Sequence, residues 1–180
     1  MKKIFMLTCF ILVLCINTVA YAAHIEDNDK LTKNKLSTAI DVISFDNGIS
    51  FALFKDENIN NINHSIKTTG TKEFTEDSYD GYFYYTETTD KISKHNFTAK
   101  FSYDNTMASC YETDSSVKMI DDDAPYRPKA ENEGRNNLTP TNVYGHVTFT
   151  LYNDDDTVNN SVIIKIFCNQ KGETNVKRYY

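Results

Sequence analysis

The sequence predicts an all-β fold, a small antiparallel β-sandwich with a β-barrel as the alternative, following a cleaved N-terminal signal peptide. Three observations carry this. Several short segments alternate apolar and polar residues at the two-residue period of a strand. Turn-forming groups such as Asp46-Asn47-Gly48 and Asn169-Gln170-Lys171-Gly172 separate them. The densest apolar run of the mature chain, Val162-Ile163-Ile164-Lys165-Ile166-Phe167-Cys168, is short and β-branched, as a buried strand is.

Residues 1–22 read as the signal peptide. Lys2 and Lys3 open it, Ile4 to Ile16 is apolar apart from Thr8, and Ala20-Tyr21-Ala22 sets small residues where a signal peptidase reads. The apolar run is shorter than the roughly 20 residues a transmembrane helix needs, and no later run approaches that length. The chain is therefore expected in the periplasm or secreted, with no transmembrane span. Cys9 and Cys15 leave with the signal. Of 4 cysteines in the 180-residue chain, Cys110 and Cys168 remain, and an exported pair is expected to form a disulfide.

The chain is acidic, with 19 basic against 25 acidic residues and a net charge of −6. Loss of Lys2 and Lys3 makes it two charges more negative. Such a chain is repelled by phosphate backbones, so nucleic acid is not an expected partner.

Residues 23–38 form a polar lead-in with room for one helical turn, and residues 39–180 a single β-rich domain. Ile40–Phe45 and Ile49–Phe54 flank Asn47-Gly48, which suits a two-residue type I′ turn. That turn sets Val42 opposite Leu53 and Ser44 opposite Phe51. A helix from Leu31 to Ile43 is the rival reading, on the spacing of Leu36, Ala39, Ile40 and Ile43. Glu57 to Asp77 reads as a long loop. Tyr79–Thr89 and Phe97–Tyr103 are expected to form a second hairpin, with Asp90–Lys94 as turn. Met107–Glu112 and Ser116–Ile120 are short strands. Asp121–Asn137, with Pro125, Pro128 and Gly134, reads as the main surface loop. Val143, Val147, Phe149 and Leu151 alternate with polar residues, and Val176–Tyr180 can add an edge strand.

Chemistry-bearing patterns are few. The chain has no Cys-x-x-Cys, His-Glu-x-x-His, Gly-x-Ser-x-Gly or phosphate loop. His64, His95 and His146 read as surface imidazoles. His24 lies close to the expected new N-terminus, where an amine and an imidazole can chelate copper together. The Asp154-Asp155-Asp156 run offers carboxylates, Asp154 and Asp156 foremost, for calcium, without the spacing of a calcium loop. The composition thus favours a non-enzymatic binding module with a protein or glycan partner and no cofactor. A small metalloprotein, with calcium or an N-terminal-histidine copper site, or a hydrolase is the alternative. The expected contact residues are Tyr82, Tyr84 and Tyr85, in a tyrosine-dense strand, and Tyr126 and Arg127 in the long loop.

Overall fold

The apolar run around Ile164 is one of two inner strands of a four-stranded sheet, and its even-numbered residues point into the core. Val162, Ile164, Ile166 and Cys168 are fully buried, while Ile163, Lys165 and Phe167 face outward and are half-buried. The protein is represented by a computed structural model that describes residues 29–56, 72–137, 139 and 141–180. The expected signal peptide, His24, His64 and the first part of the expected loop after Glu57 lie outside the described residues.

Nine strands and one helical turn, α1 (Lys33–Leu36), form the described residues. The first sheet runs in sequence order through β1 (Asp41–Ser44), β2 (Ile49–Lys55), β3 (Glu73–Tyr85), β4 (Lys91–Tyr103) and β5 (Ala108–Met119). The second runs through β6 (Tyr126–Asn136), β7 (Asn142–Asn153), β8 (Val158–Asn169) and β9 (Thr174–Tyr179). All pairs are antiparallel, and each sheet is a simple meander. The sheets remain separate, so the architecture is a sandwich and not a closed barrel. No helix among the described residues is long and apolar enough to cross a membrane.

The core fills from both inner faces. Phe51, Phe83, Phe97 and Phe101 of the first sheet meet Val147, Phe149, Leu151 and Ile164 of the second. Each fully buried phenylalanine contributes roughly 2–3 kcal/mol of transfer free energy. One imidazole shares this core. His95, expected at the surface, lies within β4 and is fully buried against Phe149 at 4.6 Å and Phe83 at 5.2 Å between ring centroids. Its Nε2 shares a hydrogen bond of 2.9 Å with the buried Ser93 hydroxyl, and its Nδ1 has no partner. Burial without a charged neighbour pushes its pKa down to about 3, so the ring is neutral.

Four expectations about local structure need correction. The first hairpin closes with three loop residues, not two. Gly48, at φ 80°, donates to the Phe45 carbonyl, and Phe45 donates to the Ile49 carbonyl at 2.8 Å. Asn47 is not in the left-handed region a type I′ turn needs, and the register moves by one: Val42 pairs with Ala52 and Ser44 with Ser50. The second hairpin forms as expected, but β3 runs Glu73–Tyr85, starting inside the expected loop Glu57–Asp77 and ending short of Thr89, and β4 starts at Lys91, inside the expected turn. Met107–Glu112 and Ser116–Ile120 merge into the single strand β5. Most of the expected surface loop Asp121–Asn137 is β6, held by pairing to β7 although its own residues are mainly polar.

The lead-in has a packing role. Thr32 caps α1, accepting from the Lys35 backbone N–H at 3.2 Å. Leu31, Leu36 and Ala39 then cover Ala52, Phe54, Tyr82 and Tyr84 on the outer face of the first sheet. The proposed helix through Ile43 does not form, because β1 begins at Asp41.

Candidate functional site

The covering by the lead-in decides the fate of the expected tyrosine surface. Tyr82 and Tyr84 are buried, and Lys35, Lys91 and Lys94 gather over the Tyr82 ring at 5.3, 5.5 and 5.8 Å. These two tyrosines are packing residues and are not available for contact. Tyr85 is half-buried beside Tyr126, with ring centroids 6.5 Å apart. Arg127 donates to the Asp154 carbonyl at 2.9 Å and to the Asp156 carboxylate at 2.8 Å, tying β6 to the β7–β8 turn. The structure does not bring these five residues together into one surface.

Nor do the metal candidates converge. Among the described residues no group of three or more His, Cys, Asp or Glu could hold a metal ion. Asp156 is engaged by Arg127, and Asp155 binds the Thr157 backbone N–H at 3.0 Å to close its own turn. The Ser93–His95 hydrogen bond resembles a nucleophile and base, but both residues are completely buried and no substrate can reach them.

The disulfide expected between Cys110 and Cys168 is absent: both thiols are free and buried. Each is turned toward its own strand, Cys110 Sγ to the Glu112 carbonyl at 3.7 Å and Cys168 Sγ to the Asn169 carbonyl at 3.4 Å. Burial raises the two thiol pKa values to about 11 and about 12. Thiolate is the reactive form. An alkylating reagent at neutral pH is therefore expected to label neither cysteine in the folded protein and both after unfolding without reductant. Labelling of neither after unfolding, reversed by reductant, would show that the two are bonded.

A different surface assembles from residues that sequence patterns alone did not single out. Three cross-strand rows lie on the outer face of the second sheet. Asn136, Tyr144, Phe167 and Asn175 form one row; Gly134, His146, Lys165 and Lys177 the next; Glu131, Thr148, Ile163 and Tyr179 the third. Lys165 and Lys177 are thus directly opposed, an arrangement of like charges that destabilises a sheet. Aromatic rings on the diagonals offset it. Lys165 Nζ lies 4.8 Å from the Tyr144 ring and 4.9 Å from the Tyr179 ring, and Lys177 Nζ lies 5.5 Å from Phe167. Tyr144 also packs on Phe167 at 5.1 Å, and its hydroxyl accepts from the Asn136 amide at 3.0 Å.

His146 completes the row. Its ring lies over Gly134, where an added Cβ would come within 2.9 Å of its Cε1. Burial foremost, and then the Lys165 charge, lowers its pKa, with Glu133 acting the other way. Both effects favour the neutral imidazole beside the Lys165 ammonium group.

On the outer face of the first sheet, Lys94 pairs with Asp80 at 2.8 Å and Lys100 with Glu112 at 2.7 Å. Among the described residues no carboxylate forms an ion pair with Lys165 or Lys177. They rest instead on polarisable rings. Such a surface can attract anionic groups and give them apolar contact. It contains no nucleophile paired with a base.

No protein-family model, curated protein or solved structure matches the chain.

Proposed function

We propose that the protein is an exported binding module, periplasmic or secreted, whose contact surface is the outer face of the four-stranded sheet and whose partner is acidic. The single observation that carries this reading is the directly opposed pair Lys165 and Lys177, held on Tyr144, Phe167 and Tyr179 without a carboxylate partner among the described residues. Opposed like charges weaken a folded protein, and a partner's carboxylates would turn that loss into binding free energy. The N-terminal sequence supports export, and the tyrosine-rich composition supports recognition, on residues other than those first expected.

Poly-L-glutamate serves as the probe, with binding followed by titration calorimetry at low ionic strength. The Lys165→Glu/Lys177→Glu protein is expected to bind at least about tenfold more weakly, a loss of about 1.4 kcal/mol or more. Lys100→Gln, which removes a lysine already paired with Glu112, is expected to leave binding unchanged. Binding should weaken as salt is raised, because the surface charges are screened. Equal binding by the parent and the double reversal rules the surface out.

A further inference from the structure

The edge of this same sheet points to the form of the partner. β9 is its terminal strand, and among the described residues it pairs only with β8, so none of them gives the other side of its backbone a strand partner. Its register, from Thr174 opposite Cys168 to Tyr179 opposite Ile163, has no bulge, and the strand contains neither proline nor glycine. Edge strands usually carry bulges, prolines or charged side chains to discourage pairing, and of these β9 carries only the charges of Lys177 and Arg178. The other edge of the sheet is closed. On β6, Glu133 accepts from the Ser115 hydroxyl and Arg135 donates to the Tyr111 carbonyl, joining it to β5.

The two faces flanking β9 differ. On the outer face stand Asn175, Lys177 and Tyr179, all exposed, next to the unpaired Lys165. On the inner side β9 approaches β1, and Arg178 forms a two-bond ion pair with Asp41, 2.6 Å from Nε and 3.1 Å from Nη2. A cleft of about 330 Å³ opens there, lined by Ile40, Leu53, Val176 and Tyr179 and by the charged Asp41, Lys177 and Arg178. Ile40 is exposed in its wall. A strand added to β9 would therefore set alternate side chains over the lysines and into this cleft, against Ile40 and Val176 beside the Asp41–Arg178 pair.

We propose that β9 accepts an extended segment of a partner protein, alternating acidic and apolar residues, as a fifth strand of the sheet. Backbone hydrogen bonds supply the docking, Lys177 and Lys165 meet the acidic positions, and the cleft beside Ile40 takes the apolar ones. Charge selects this occupant over a second copy. Antiparallel pairing of β9 with itself brings Lys177 and Arg178 of one chain against the same residues of the other. The inference rests on the acidic-partner reading above and adds strand pairing to it.

The test uses a synthetic peptide of β9 length alternating glutamate and valine. Two derivatives are N-methylated on alternate amides, one in each phase, and dextran sulfate is the non-peptide control. The parent peptide is expected to bind, to lose at least about tenfold in affinity when the phase facing β9 is methylated, and to keep its affinity when the other phase is. Equal binding of both methylated peptides overturns strand addition while leaving the acidic-partner surface intact. So does binding of dextran sulfate, dependent on Lys165 and Lys177, with no binding of the peptide. Failure of both probes removes the surface reading as well. A peptide-free dimer that the parent peptide cannot dissociate identifies a second copy as the occupant and overturns the proposal.

Discussion

A His95→Phe protein is expected to keep its stability in acid where the parent loses it. The parent imidazole is neutral in the folded core, with its pKa pushed down to about 3, against about 6.5 in the unfolded chain. The unfolded state therefore takes up a proton that the folded state refuses. The stabilisation tied to the neutral ring is fully present above about pH 6.5 and is lost as pH falls from there toward about 3. Across about pH 7 to about pH 4 the loss from this group alone is about 3 kcal/mol. Phenylalanine suits the ring site formed by Phe51, Phe83 and Phe149. It leaves the Ser93 hydroxyl without its partner, at a cost of about 1–3 kcal/mol that does not vary with pH. Urea unfolding of both proteins at the two pH values isolates the imidazole as the difference of differences. Parallel loss of stability in both would mean that His95 is accessible to protons in the folded state.

His95 also shows where sequence reading stops. Lys94-His95-Asn96 is polar on its face and resembles a turn, yet β4 runs through it and aims the imidazole inward. The alternation of Val143, Val147, Phe149 and Leu151, and the buried run around Ile164, were legible because each strand's own residues carry the two-residue period. The strand β6 was not. Its inward positions include Pro128 and Ala130, and pairing to β7 and closure against β5 hold it as a strand. Tyr82 and Tyr84 share one face of β3, as the two-residue period of a strand requires. Their burial depends on Leu31 and Leu36, from a lead-in whose sparse apolar residues read as surface. The candidate site was hidden for a related reason. Lys165 reads as an interruption of an apolar strand until the register of three strands places it beside His146, Lys177 and Tyr144.

Gly81→Val is expected to destabilise the protein by about 3 kcal/mol or more, because the valine must occupy space already filled by Phe51. Gly81 lies on the inner face of β3, opposite Leu53 and His95. A Cβ built there would stand 2.3 Å from Phe51 Cζ and 2.8 Å from its Cε2. The ring has little room to retreat. It is fully buried, packed edge-on against Phe83 at 4.9 Å and near His95 at 6.4 Å. Glycine in a strand ordinarily lowers stability by roughly 0.5–1 kcal/mol relative to alanine, so removing it would help if space were the only spare quantity. Here the overlap outweighs that gain, and the conformational freedom of glycine is not the reason for its presence. Close approach is. The assignment predicts a specific coupling. Phe51→Leu alone should lower stability through the atoms it deletes, but in the Gly81→Val background it should restore part of the loss by vacating the overlapping positions. Urea unfolding of the two single variants and the double variant measures this. Additive losses, or a Gly81→Val protein as stable as the parent, would mean that the Phe51 ring does not lie across Gly81.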